Sequence, residues 1–185
     1  MDYFVATDFN PLNNIDSPDF KFRRNGPYSQ RLMSNTYHQI YIQFVFAVKY
    51  REAIIDKEWK SKLHAVIGNL INETGCKTII VNGVEDHVHC LVGLKPMISI
   101  SDLMKTVKAK SSKYINDHNL TTSRFEWQEG YGAFSYGQSQ IDAVYKYIAN
   151  QEEHHKKQTF KEEYLKFLEK FKVQFEEKYT FENLI

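Results

Sequence analysis

The chain has 185 residues, of which 42% are hydrophobic and 15% aromatic, so it can bury a core and is not disordered as a whole. Its formal net charge of +1 excludes a strongly basic protein, so any basic surface has to come from local clustering. Two cysteines are too few for a disulfide scaffold. With neither a membrane span nor a secretory signal expected, a cytoplasmic protein is predicted.

Residues 1–34 are predicted to be an appendage, and residues 35–185 to form the main domain. The appendage holds Pro11, Pro18 and Pro27, three of the four prolines, and its aromatic residues follow neither a helical nor a strand period. Met33 directly precedes the first strong strand pattern. Translation from a start codon upstream of the natural one is therefore an open alternative for this stretch.

The first half of the main domain alternates between strand and helix patterns. Residues 36–49 alternate apolar and polar side chains, which predicts a half-buried strand. Apolar residues at three- and four-residue spacing predict a helix over 57–73 that stops at Gly75. Residues 77–84 predict a second strand, and Asn82-Gly83 begins a turn before a third strand within residues 85–94.

The second half begins with a helix opening near Ser99 and presenting Lys105 and Lys108 outward. A short strand over 131–136, a helix over 139–155 and a final helix over 160–179 follow. The final helix is expected to bury one stripe, formed by Tyr164, Leu168, Phe171 and Phe175. The order β-α-β-β-α-β plus two helices predicts an α+β fold, the ferredoxin-like split βαβ antiparallel sheet, with helices on one face and the other face open to a ligand.

Two histidines, His87 and His89, lie two positions apart in the third strand, within EDHVHCLVGL. Side chains at this spacing share one face of a strand, so the two rings lie side by side. Such a pair can arise by chance, with its rings bonded to backbone carbonyls. On a central strand it can instead bind a divalent cation through two neutral nitrogens.

A candidate third ligand occurs in IDAVYKYIANQEEHH, residues 141–155. Ile141, Val144, Tyr145 and Ile148 form its predicted apolar stripe. Tyr147, Gln151 and His154 fall on an adjacent stripe at i, i+4 and i+7. A polar stripe of this kind is usually solvated. If Gln151 binds the cation, however, Tyr147 presents its hydroxyl to whatever the cation polarises.

Together, HVH, WQEGYGAFSYGQSQ over 127–140, YIANQEEHH and FKEE over 160–163 resemble the small single-tyrosine HUH transposases, including the REP-associated tyrosine transposases. The resemblance covers residues 33–168. It implies that His87, His89 and Gln151 bind Mg²⁺ or Mn²⁺ and that Tyr147 is the nucleophile. It makes His154 and His155 supporting residues. Tyr136-Gly137 departs from the smaller or apolar residues that relatives carry there.

The resemblance also implies an activity and a partner. Tyr147 would attack single-stranded hairpin DNA, forming a 5′-phosphotyrosine and a free 3′-hydroxyl, and the retained phosphodiester energy would allow rejoining without ATP. A homodimer associated with the nucleoid is expected, in which the tyrosine acts on its own or on its partner's site. Lys105 and Lys108 are candidate phosphate contacts. The alternative is a domesticated module that binds single-stranded DNA or RNA without catalysis.

Overall fold

A computed structural model describes residues 37–175 of the chain. The predicted appendage over 1–34 and the end of the predicted final helix lie outside the described residues. Within residues 37–175, four strands form one sheet: β1 Tyr41–Ala47, β2 Lys77–Gly83, β3 His87–Gly93 and β4 Gly132–Tyr136. The five α-helices of this part are α1 Lys57–Glu73, α2 Ile100–Asp117, α3 Ile141–Ala149, α4 Gln151–His155 and α5 Phe160–Lys170.

The strands lie in the order β2-β3-β1-β4, and each neighbouring pair is antiparallel. This is the arrangement expected for the split βαβ fold, so the predicted fold class is confirmed. Local signals set several of the boundaries. The Asp56 and Ser99 side chains accept hydrogen bonds from backbone amides in the first turns of α1 and α2. Gly75, at a φ of 82°, follows the end of α1 where the sequence predicts it.

Both faces of the sheet are covered. Ile42, Phe44 and Phe46 pack with α1 and α2 on one face. Val45, Ala47 and residues of β3 and β4 pack with α3 and α5 on the other. The expectation of a half-buried sheet with an open face is therefore wrong. The physical reason is that both sets of alternating side chains in β1 are largely apolar, so each face has to be covered.

The two C-terminal helices also differ from the prediction. The helix expected over 139–155 is divided at Asn150 into α3 and α4, after a short 3₁₀ turn over 138–140. The final helix ends at Lys170, and Phe175 lies beyond it and is exposed. Among residues 37–175, no helix is long and apolar enough to cross a membrane.

Candidate active site

His87 and His89 lie side by side on β3, with their ring centroids 5.0 Å apart and both side chains fully buried. Strand alternation places them on the face covered by α3 and α5, because Val88 and Cys90 pack into the core on the opposite face. The Nδ1 atom of His87 lies 2.6 Å from the Asp86 carboxylate, and that of His89 lies 3.0 Å from the Gln43 amide. Both Nδ1 atoms thus contact side chains rather than the backbone carbonyls of the chance interpretation.

A carboxylate that the sequence reasoning missed lies opposite these rings. Glu163 of α5 is buried, and its Oε2 atom is 3.5 Å from His87 Nε2 and 3.4 Å from His89 Nε2. A signal for it exists in FKEE. Phe160, Glu163 and Phe167 follow a spacing of three and four residues and are all buried, so Glu163 is a charged residue on an apolar stripe.

His155 of α4 completes the cluster. Its Nε2 atom lies 3.2 Å from Glu163 Oε2, and its Nδ1 atom lies 3.0 Å from the Gln158 carbonyl oxygen. The ligand atoms of His87, His89, His155 and Glu163 all lie within 4.8 Å of one another. His155, expected only to support the site, is therefore placed among the candidate ligands. The supporting residue His154 is farther out, with Nε2 3.7 Å from Glu163 Oε1.

The cluster fits a divalent cation. Within the described part of the chain, the buried Nε2 atoms of His87 and His89 and the Oε2 atom of Glu163 have no hydrogen-bond partner. Buried polar atoms without partners are rare in folded proteins and often mark an ion site. Ligand atoms about 2.1 Å from one octahedral ion are roughly 3.0–4.2 Å apart. Glu163 Oε2 lies 3.2, 3.4 and 3.5 Å from the Nε2 atoms of His155, His89 and His87, within that range. Three neutral imidazoles and one carboxylate would leave part of the ion's charge for a substrate.

The protonation states of His89 and Glu163 suit a metal site. Burial lowers the pKa of His89 to about 4, so its ring is neutral at neutral pH. Burial opposes ionisation of Glu163, but the neighbouring imidazoles of His155, His87 and His89 outweigh it and lower the pKa of the carboxyl group. Burial also opposes the charged form of His87, whereas Asp86 and Glu163 raise its pKa overall. Glu163 is therefore ionised and His89 neutral, the states that metal ligands need.

Gln151, the predicted third ligand, is fully buried at the start of α4. Its Nε2 atom donates to Glu163 Oε1 over 3.1 Å, and its Oε1 atom lies 3.0 Å from His155 Nε2. The amide therefore lies inside the cluster and connects two of the candidate ligands. Its role as a ligand stays a prediction.

Tyr147, the predicted nucleophile, borders the same cluster. Its hydroxyl donates a hydrogen bond to Glu163 Oε1, and its ring centroid is 6.1 Å from that of His89. Burial and the Glu163 carboxylate raise the pKa of its phenol, which is therefore protonated at neutral pH. The placement of Tyr145 on the apolar stripe is wrong, because its side chain is 45% exposed.

Lys105 and Lys108 lie away from this cluster. Both belong to α2, which packs on the other face of the sheet. Lys105 is exposed, whereas the Lys108 ammonium group donates to the carbonyl oxygens of Gln128 and Gly130 over 2.5 and 2.7 Å. The structure does not bring these two lysines to the candidate active site, and their contact with phosphates stays a prediction.

Known proteins similar to this chain are transposases. The model of the family described as "Transposase IS200 like" matches residues 36–151, more than half of the chain. The matched segment includes His87, His89, Tyr147 and Gln151, whereas His155 and Glu163 follow it. A curated relative, the ISDra2 transposase TnpA of Deinococcus radiodurans, is 26% identical over 76 residues, which are 41% of this chain. The chain spans about half of that relative, 54% of its length.

Two solved structures share the fold. One is a protein of Deinococcus radiodurans assigned as a transposase, with a TM-score of 0.51 and 19% identity, covering 70% of this chain and 98% of that one. The other is a REP-associated tyrosine transposase bound to a REP hairpin, with a TM-score of 0.51 and 13% identity, covering 65% of this chain and 72% of that one. At these identities the likeness shows a common fold.

Proposed function

Because this chain belongs to the IS200-like transposase family, we propose that it cuts and rejoins single-stranded DNA, with Tyr147 as the nucleophile and a divalent cation at the histidine cluster. The observation that carries the proposal is the contact between the Tyr147 hydroxyl and Glu163. The same carboxylate faces His87, His89 and His155 through its other oxygen. The proposed nucleophile and the proposed cation site thus share one side chain.

The chemistry suits a phosphodiester. The phenol oxygen of Tyr147 would attack the phosphorus atom, and the bond from phosphorus to the 3′ oxygen would break. The products are a 5′-phosphotyrosine and a strand that ends in a 3′-hydroxyl. When a 3′-hydroxyl attacks the phosphotyrosine, the phosphodiester forms again and the phenol is released, so no ATP is needed.

The side chains of the cluster have two tasks in this reaction: to position the phenol and to hold the cation. Glu163 Oε1 accepts the Tyr147 hydrogen bond and fixes where the phenol oxygen lies. His87, His89, His155 and Glu163 would hold the cation, and we propose Gln151, which donates to Glu163, as a further ligand. When bound, Mg²⁺ or Mn²⁺ supplies positive charge to the scissile phosphate. Imidazole ligands favour Mn²⁺ over Mg²⁺.

The partner we propose is single-stranded DNA that forms a hairpin. The REP-associated tyrosine transposase of the same fold is bound to a REP hairpin. We also propose a homodimer, with β2 and β4 as the edges of the sheet that are open to pairing, and a nucleoid-associated location in the cytoplasm.

The test is a covalent adduct. Labelled hairpin DNA from the sequence flanking the gene is incubated with the protein and Mn²⁺, and a denaturing gel is examined for labelled protein. We expect an adduct with the wild type and with Tyr145→Phe, and none with Tyr147→Phe. An equal adduct from Tyr147→Phe would exclude this nucleophile. Binding of the hairpin without any wild-type adduct would favour a binding module without catalysis.

A further inference from the structure

A cleft of about 420 Å³ opens beside the Tyr147 hydroxyl, between α3, α5 and β4. Tyr147 and Glu163 both line it, so the cleft gives access to the proposed nucleophile. Its size lies within the range of pockets that hold one small-molecule ligand. If Tyr147 attacks a phosphodiester, the part of the substrate next to the scissile phosphate lies in or beside this cleft.

Several residues that line the cleft carry hydrogen-bond donors. Lys166 and Lys170 are exposed, lie one helical turn apart on α5 and line the cleft. Lys166 donates to Gln158 Oε1 over 3.0 Å, which turns the amide nitrogen of Gln158 to another direction. Within residues 37–175, the buried Gln158 Nε2 atom and the His154 Nε2 atom, both on residues that line the cleft, have no hydrogen-bond partner. Two lysine cations together with the unpartnered amide nitrogen of Gln158 suit an anion such as a phosphodiester.

Other residues that line the cleft are apolar or aromatic. They are Val144 and Ala143 of α3, Tyr136 of β4 and Phe167 of α5. Aromatic and apolar side chains of this kind provide a surface for an unpaired base, which every nucleotide can use because every base has a flat face. The cationic and the apolar residues of the cleft therefore match the two parts of a nucleotide.

We propose that this cleft binds one unpaired nucleotide next to the bond that is cut, with its base against the apolar and aromatic residues and its phosphates facing Lys166 and Lys170. The proposal rests on the function proposed above, since it takes single-stranded DNA as the substrate. It assigns the phosphate contacts near the nucleophile to α5, whereas the sequence pointed to Lys105 and Lys108 on α2.

The first test measures binding without cleavage. In the Tyr147→Phe background, fluorescence anisotropy follows binding of a labelled single-stranded oligonucleotide of random sequence, over a series of salt concentrations. We expect Lys166→Gln with Lys170→Gln to weaken binding at least about 10-fold and to reduce the salt slope by about 1.4, since each phosphate contact in single strands contributes about 0.7. The matched control replaces Lys57 and Lys62, two exposed lysines of α1 on the other face of the sheet, and should change little.

The second test fills the base site. Ala143 is exposed and lines the cleft, so Ala143→Trp places a large ring there without removing a contact from the core. We expect at least a 10-fold loss of oligonucleotide binding, while Ala65→Trp, at an exposed alanine of α1, binds like the parent. Circular dichroism confirms that both variants fold.

The outcomes separate this inference from the proposed function. The inference is overturned if the parent does not bind the oligonucleotide, if both lysine pairs weaken binding equally, or if Ala143→Trp binds normally. If the wild type forms the Tyr147 adduct but these changes do not affect oligonucleotide binding, the proposed function stands and the proposed role of the cleft is excluded. If the cleft variants weaken binding but the wild type forms no adduct, the cleft binds DNA and Tyr147 is excluded as the nucleophile.

Discussion

Groups outside the histidine cluster orient its three rings through contacts with their Nδ1 atoms. His87, His89 and His155 each turn Nδ1 towards a neighbour, which is Asp86, Gln43 and the Gln158 carbonyl group respectively. Each ring therefore presents Nε2 to the centre of the cluster. Partners of this kind fix the ring orientation and tautomer of a metal-binding histidine, and their loss usually weakens metal binding 10- to 100-fold.

The role of Gln43 in orienting the His89 ring can be tested directly by substitution. It is fully buried on β1, where its Oε1 atom accepts a hydrogen bond from Tyr136 and its Nε2 atom faces His89 Nδ1. An amide has an acceptor end and a donor end. A half-turn of the amide would let its carbonyl oxygen accept the Nδ1 proton of His89, which leaves His89 Nε2 bare for a cation.

We expect Gln43→Leu to lower the affinity for Mn²⁺ by roughly 10- to 100-fold, because His89 then loses the group that orients it. Gln43→Glu keeps an acceptor beside Nδ1 and should retain the affinity within about threefold of the wild type, well short of that loss. Isothermal titration calorimetry on protein stripped of metal with a chelator measures both. Equal affinities of the leucine variant and the wild type would show that Gln43 does not position the ring.

Glu163 provides a sharper test of the cluster itself. Glu163→Gln keeps the shape of the side chain and removes its charge, so we expect Mn²⁺ affinity to fall at least about 10-fold. The control is Glu169→Gln, an exposed position of the same helix. Calorimetry on chelator-treated protein measures the Mn²⁺ affinity of both variants, and Glu169→Gln should bind like the wild type. A glutamine variant that binds Mn²⁺ like the wild type would remove Glu163 from the ligand set.

Much of this site was predictable from residue types in a fixed pattern. Strand alternation predicts that His87 and His89 lie side by side, and the helical period predicts the same of Tyr147 and Gln151. Although the helix is divided at Asn150, both of these side chains contact Glu163. Glu163 was not predicted, because the final helix was expected to bury the stripe that begins at Tyr164. In that register Glu163 would face away from the core. Gln43 and Asp86 escaped because their contacts depend on how strands and turns pack, which no local pattern states.

At the scale of the elements, contacts from distant parts of the chain hold the end of α3 and the start of α4, on either side of their division at Asn150. Asn82 of β2 donates its side-chain amide to the carbonyl oxygens of Ile148 and Ala149 over 2.8 and 3.1 Å. These are orphan acceptors at the end of α3. A second link, an ion pair between Lys60 of α1 and Glu152 of α4, holds the next turn. The sequence predicted one helix here because both links come from distant parts of the chain.

We expect Asn82→Asp to lower the free energy of unfolding by about 0.5–1.5 kcal/mol, because it loses two hydrogen bonds and places a carboxylate against carbonyl oxygens. The yield of covalent adduct should fall as well, since Tyr147 lies one residue before Ile148. Asn150→Asp is the control. It removes a single exposed bond to the Lys146 carbonyl group and should change stability by less than about 0.5 kcal/mol. Urea unfolding measures both variants, and equal stabilities would exclude Asn82 as an anchor of α3.

At the scale of the whole molecule, the sheet separates two helical layers with different tasks. The layer of α1 and α2 covers one face and encloses a core made almost wholly of apolar residues. The layer of α3 and α5 covers the other face and surrounds the histidine cluster. The element order and the sheet were predictable from hydrophobic periods. Coverage of the second face was not, because the sequence does not state where the last helices dock.

This layering places every proposed catalytic part in one chain. The histidines come from β3, the tyrosine and glutamine from α3 and α4, and the carboxylate from α5 of the same protomer. We therefore expect Tyr147 to act on its own subunit's site. The alternative, in which the tyrosine helix serves the partner subunit, would require Tyr147 to leave its hydrogen bond with Glu163.

Mixed oligomers distinguish the two arrangements. A Tyr147→Phe subunit and a subunit with His87→Ala and His89→Ala are co-expressed with different tags, and pairs carrying both tags are isolated and given labelled hairpin DNA with Mn²⁺. Neither subunit has both an intact histidine pair and Tyr147, so action within one subunit predicts no adduct. Action between subunits predicts an adduct on the histidine variant, because its intact tyrosine would reach the intact cluster of its partner. Pairs of wild type with Tyr147→Phe are the control and should carry the label on the wild-type subunit. Label on the histidine variant would show that the arrangement within one chain is not the one that cuts DNA.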